Sequence, residues 1–258
     1  MKKTGMKLAA LTAGLLLSGI ASALPTMWIG DSAGRLGTVD VASGNVNVIG
    51  SMGQSMTDIA FDPTGNLFAI SFGSLYRINT SNAQASLVGN LGTSLNSLVF
   101  DASGNLYGAN NALYKINTTT GAASLIGSGG DQYSSSGDLA FVGGQLYLSN
   151  ALGNNLTQLN VANGVGHNVG NIGFGGVYGM ATNDNVHLYG MTGTNVIAIN
   201  TLTGAGTQLL NYGGYGLGEA WGTAFISEAQ PVPEPETYAM MLAGLAGLGL
   251  MVKRRKQA

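Results

Sequence analysis

The chain has 258 residues, of which 45% are hydrophobic and only 9% charged, with 42 glycines, 5 prolines and no cysteine. That composition excludes disulfides, thiol nucleophiles and thiolate metal sites, and its glycine plus proline stay below the ~25–30% that marks low complexity. The formal charge of −2 hides a segregation: between residues 24 and 230 only Arg35, Arg77 and Lys115 face ten acidic residues, a formal −7, which excludes nucleic acid as a partner.

Residues 1–23 read as a signal peptide. Lys2, Lys3 and Lys7 form a basic start, an apolar stretch runs from Leu8 to Ile20, and Ala21 and Ala23 flank Ser22. Small residues at those two places fit the signal peptidase pocket, so cleavage is expected after Ala23, giving a mature chain from Leu24. The alternative is an uncleaved anchor helix.

Residues 24–230 repeat a unit of about 40 residues five times. An aromatic recurs at Trp28, Phe68, Tyr107, Tyr147 and Tyr189, with spacings of 40, 39, 40 and 42. A second signature ends at Asp40, Asn79, Asn117, Asn160 and Asn200, and four residues on come Gly44, Ala83, Gly121, Gly164 and Gly204. Each unit offers four short strands, a to d. Strand a ends at Phe61, Phe100, Phe141 or Thr182, strand b carries the aromatic, strand c the Asn signature, and strand d reads like "NVNVIG" or "ASLVG". Asp62 and Asp101 open the a–b turns, where an Asp side chain accepts backbone hydrogen bonds and Gly65 or Gly104 supplies the positive φ.

Five such units predict an all-β fold, a five-bladed β-propeller. The first unit lacks strand a, and "WGTAFISE", residues 221–228, matches it at the other end with Phe225 on the Phe61 position. A ring that completes its first blade with its last strand removes an exposed sheet edge. The a–b turn resembles that of NHL-type and gluconolactonase-like propellers over six-residue stretches.

Chemistry-bearing residues are few. His167 and His187 are the two histidines, read as structural or exposed, and Asp62 and Asp101 as turn caps, without the Asp ladder a calcium loop needs. No nucleophile elbow or phosphate loop occurs, so no catalytic residue, metal or cofactor is expected. The strand-b aromatics are read as packing between blades. The richest loops, 127–138 and 211–222, share one face of a propeller and offer Asp131, Tyr133, Tyr212, Tyr215, Glu219 and Trp221 as a candidate ligand face. Aromatics with carboxylates suit carbohydrate.

The C-terminal segment, residues 231–258, has three parts. Pro231, Pro233 and Pro235 impose an extended backbone. From Tyr238 to Val252 run fifteen uncharged residues, about 22 Å as a helix. That is short of the ~30 Å hydrocarbon core, a gap that snorkelling Lys253 and Arg254 can close. The cluster Lys253, Arg254, Arg255 and Lys256 then stays cytoplasmic by the positive-inside rule. The motif Val232, Pro233, Glu234, Pro235, with the apolar run and basic cluster behind it, resembles the PEP-CTERM sorting signal. The resemblance implies a Gram-negative host, recognition by exosortase (a membrane cysteine protease), removal of the tail, and a link to exopolysaccharide. An ordinary anchor after a proline linker is the alternative.

Together these readings predict an exported protein that is membrane-anchored in transit, then surface-bound or extracellular. Its partners are signal peptidase and exosortase, then a glycan or envelope protein. The expected function is a non-catalytic binding or structural module. The rival is a hydrolase or lyase acting on extracellular polysaccharide through Asp131 and Glu219.

Overall fold

The computed structural model describes residues 25–229. The predicted signal peptide, the sorting segment and the apolar C-terminal run lie outside the described residues. Within them twenty strands form five four-stranded antiparallel sheets, with no helix.

The first blade holds β1 (Thr26–Asp31), β2 (Arg35–Asp40) and β3 (Val46–Ser51). The second holds β4 (Asp58–Phe61), β5 (Leu67–Ser71), β6 (Ser74–Ile78) and β7 (Ala85–Asn90). The third holds β8 (Ser97–Phe100), β9 (Leu106–Ala109), β10 (Leu113–Ile116) and β11 (Ala123–Gly127). The fourth holds β12 (Ser135–Val142), β13 (Gln145–Asn150), β14 (Asn155–Leu159) and β15 (Gly166–Asn171). The fifth holds β16 (Val177–Ala181), β17 (Leu188–Thr192), β18 (Asn195–Ile199) and β19 (Gly206–Asn211), and β20 (Ala220–Ala224) follows.

The expected closure is present. β20 pairs antiparallel with β1, Trp28 opposite Ala224 and Ile29 opposite Thr223, so the first blade takes its innermost strand from the chain's other end. Inner strands β20, β4, β8, β12 and β16 each touch the next around a ring. Pressed between two neighbours, β4 and β8 are buried at every residue, hence their unbroken apolar character. The outermost strand β7 exposes Leu87 instead.

The core is divided among the blade interfaces. Five clusters of buried residues occur among the described residues, each joining two adjacent blades. The repeat's aromatics supply the link. Trp28 packs edge-on against Phe61 of the next blade with ring centroids 5.4 Å apart. Phe68 meets Phe100 at 5.3 Å, Tyr107 meets Phe141 at 5.8 Å, and Tyr189 meets Phe225 at 5.6 Å. Such pairs contribute about 0.5–1.5 kcal/mol beyond their burial. The fifth place breaks the pattern because strand a of the fifth blade ends in Thr182; Tyr147 packs among aliphatic residues such as Val177 and Met180.

A second device repeats at the rim. The Asn signature caps a c–d turn: Asn117 Oδ1 accepts the N–H groups of Thr119 and Thr120, and the chain reverses at Gly121 with φ 80°. That turn lies against the outermost strand of the preceding blade. A Cβ on Gly89 would stand 2.0 Å from the Thr120 carbonyl oxygen, and one on Gly170 would stand 2.1 Å from that of Thr203. Each c–d pairing also carries a β-bulge one step before this contact, as between Leu75 and Tyr76, which increases the local twist.

Candidate functional site

The inner strands open onto one face of the ring, where the d–a and b–c connections lie. Five residues stand at matching positions where the chain enters those strands, one from each blade: Thr57, Asn96, Gly137, Tyr178 and Trp221. They line a cavity of about 280 Å³ together with Ser136, Phe72 and Glu219.

Phe72 reaches this mouth from an unusual backbone. It is the first residue of the two-residue hairpin between β5 and β6, with φ 46°, where Asn or Gly is strongly favoured. The corresponding place in the fifth blade is Gly193, at φ 59°. A left-handed non-glycine residue costs about 1–2 kcal/mol, yet the Phe72 side chain remains 56% exposed. Its carbonyl accepts the Leu95 N–H at 2.8 Å, which fixes the hairpin beside Asn96. Asn96 itself donates its amide NH₂ to the Ser135 carbonyl at 2.9 Å. That bond identifies the other amide atom as oxygen, and Oδ1 is buried without a protein hydrogen-bond partner.

One residue further along the inner strands lies a sealed polar hub. Asp58 and Asp138 are fully buried, and their carboxyl groups hydrogen-bond to one another. Asp58 of the second blade accepts the Leu98 N–H of the third at 2.5 Å. Asp138 of the fourth accepts the Met180 N–H of the fifth at 2.5 Å and the Thr223 hydroxyl of the first at 3.2 Å. Two side chains thus tie all five blades. Burial pushes both carboxyls well above the usual range, and the negative charge of Asp138 raises Asp58 further. The pair therefore shares a proton between its two carboxyls.

The far end of the channel is closed by the turn after β20. Ser227 Oγ donates to the Asn183 carbonyl of the fifth blade at 2.8 Å, while Ala229 is buried in the cluster between the second and third blades. The segment therefore crosses beneath the ring. Burial, then the Asp138 charge, also raises Glu228, whose Oε1 has no hydrogen-bond partner.

The six residues expected on a ligand face separate. Glu219 and Trp221 line the mouth. Asp131 and Tyr133 line a second cavity with Gln132 and Leu152; Asp131 accepts the Asn168 N–H, and Tyr133 donates to the Gly164 carbonyl from a buried position. Tyr212 is fully buried and donates to the Gly218 carbonyl at 2.9 Å, bracing the last d–a loop. Tyr215 is 69% exposed on that loop. Asp62 caps its turn through Thr64 and Asn66, and both histidines are exposed, His187 against Asp184 at 2.6 Å. Thr57, Phe72, Asn96, Tyr178 and the hub pair were not legible as site residues. The signal available for the hub was an acidic residue inside an inner strand, the column Asp58, Ser97, Asp138, Gly179, Gly222.

Solved structures share this fold at low identity. A structural genomics protein of unknown function from Bacteroides thetaiotaomicron is similar over 72% of this chain and 55% of its own, with 14% identity and a TM-score of 0.54. The chain thus spans about half the length of that protein. A symmetrical protein from work on de novo evolutionary emergence is similar over 81% of this chain and 100% of its own, at 18% identity and a TM-score of 0.53. A chain of a nidogen/laminin complex is similar over 79% and 86%, at 15% identity and a TM-score of 0.51. At these identities the likeness shows the fold alone. No curated protein matches the chain. Residues 231–256, beginning two residues after the buried Ala229, match the PEP-CTERM protein-sorting motif. The chain is therefore a five-bladed β-propeller carrying the PEP-CTERM signal of a secreted, exosortase-processed protein.

Proposed function

We propose that the mature propeller is a non-catalytic module of the cell surface or matrix that binds exopolysaccharide through the mouth of its central channel. The observation that carries this reading is the composition of the mouth. Phe72, Tyr178 and Trp221 offer aromatic surface, and beside them stand the polar side chains of Thr57, Ser136 and Glu219. Sugar rings stack on aromatic faces through their C–H groups and bring hydroxyl donors at the rim. A strained, exposed Phe72 at the same mouth fits a position held for binding rather than for folding.

Binding is favoured over polysaccharide hydrolysis or lysis on geometric grounds. Asp131 and Glu219 line different cavities, and Asp58 and Asp138 have no exposed surface, whereas acid–base catalysis needs carboxylates within reach of one bond. The test is a glycan array with the mature exported protein, with reducing ends monitored in parallel. Saturable glycan binding lost in Trp221→Ala, without new reducing ends, is the expected outcome. Release of reducing ends would replace this reading with the enzymatic one.

A further inference from the structure

We propose that the sugar held at the channel mouth carries a cationic amine, as a hexosamine without its N-acetyl group does. This rests on the glycan reading above and adds the charge of the ligand. The mouth is mainly apolar, and its few polar side chains include the Glu219 carboxylate and the Thr57 hydroxyl. Asn96 has spent its NH₂ on the Ser135 carbonyl and offers the cavity no free donor. Thr57 has spent its hydroxyl proton on the Ile70 carbonyl at 3.2 Å, leaving lone pairs. Glu219 adds a carboxylate that accepts and never donates when ionised. Among the described residues, no lysine, arginine or histidine lines the cavity. The cation near the Gly218 backbone, Arg35, is already engaged, with two of its nitrogens 2.7 Å from Asp31 Oδ2.

A neutral hydroxyl brings one donor to such a cavity, whereas an ammonium brings three donors and a positive charge. The three aromatic side chains favour the same ligand, because their ring faces attract cations. An acidic sugar is disfavoured by Glu219 and by a body with three basic against ten acidic residues between positions 24 and 230. A cavity of about 280 Å³ lies at the small end of ligand pockets, the scale of one sugar residue at a chain end rather than a groove along a chain.

The experiment titrates the mature protein with glucosamine, N-acetylglucosamine and glucuronic acid oligomers of equal length, following Trp fluorescence and calorimetric heat. Glucosamine oligomers are expected to bind at least tenfold more tightly than the N-acetylated ones, and glucuronic acid oligomers not at all. Glu219→Gln, at an exposed position, should remove that preference while leaving the thermal unfolding of the protein unchanged. Equal affinity for the amine and N-acetyl forms would overturn the charge assignment and leave the glycan reading standing. Absence of binding to all three and to every glycan of the array would overturn both. Binding of a simple diamine as tight as that of the glucosamine oligomer would show a cation site and overturn the sugar.

Discussion

Asp58 and Asp138, from the second and fourth blades, share one hydrogen bond at the hub of the propeller and take backbone or hydroxyl donors from the other three blades. Both carboxyls are raised, foremost by burial, so the folded state retains protons that the unfolded chain gives up near pH ~3.9. Where the native state binds more protons, unfolding free energy falls as pH increases. The hub's contribution is therefore full in acid and is lost as pH rises toward the raised values, with Glu228 acting in the same direction. Asp58→Asn keeps a donor toward Asp138 and an acceptor for Leu98. It should flatten the alkaline limb of a Tm-against-pH profile and add about 1 kcal/mol or more above neutrality. Asp58→Leu, which orphans the Leu98 N–H and Asp138, should cost about 3 kcal/mol. An unchanged profile in Asp58→Asn would remove the shared proton from this account.

Ala83 is the one c–d turn residue of its column that is not glycine, and it sits at φ 63°. Ala83→Gly should stabilise by about 1 kcal/mol in denaturant melts. Gly89→Ala should do the opposite by about 3 kcal/mol, since its Cβ would collide with the Thr120 backbone.

Removing residues 220–229 deletes β20 and exposes the edge of β1 that it covers. The product should aggregate and lose cooperative unfolding. A soluble deletion variant with a single sharp transition would show that closure does not hold the ring.

Phe72→Gly relieves a left-handed phenylalanine and takes away an aromatic surface of the mouth. Stability should rise by about 0.5–1 kcal/mol, while glycan affinity falls at least tenfold. A rise in both would mean that Phe72 is not held for the ligand.

Export should remove both ends. Mass spectrometry of the protein from an exosortase-bearing host should find a chain starting at Leu24 and stopping close to Pro235. Replacing Pro233, Glu234 and Pro235 by alanine should leave an uncut, membrane-bound form. Native protein that keeps Lys253 to Ala258 in that host would turn the motif into a permanent anchor.

The ring was legible because its determinants repeat. Trp28, Phe68, Tyr107 and Tyr189 recur at one spacing and do one job, packing onto Phe61, Phe100, Phe141 and Phe225. The mouth was only half legible for the converse reason. Glu219 and Trp221 stood out in a glycine-rich loop, but so did Tyr133 and Tyr212, whose hydroxyls are spent on carbonyls inside the fold. Thr57, Asn96 and Tyr178 share a column in which every unit differs, and Asp58 and Asp138 lie in one that varies between Asp, Ser and Gly. A period reveals the positions that must be alike, while the channel is built from those that are not.

β20 supplies Trp221 to the mouth and Thr223 to the hub, and it is the last strand among the described residues, pairing with a β1 that emerges nearly 200 residues earlier. A chain that crosses the membrane N-terminus first must leave the inner edge of β1 open until β20 arrives, a slow, long-range step of assembly. A product cut short between Asn211 and Ala220 would still have the strands of four whole blades, yet neither a finished channel mouth nor its innermost tie. The ring in effect proofreads its own synthesis: its mouth and hub are complete only with the segment that brings the sorting signal behind it.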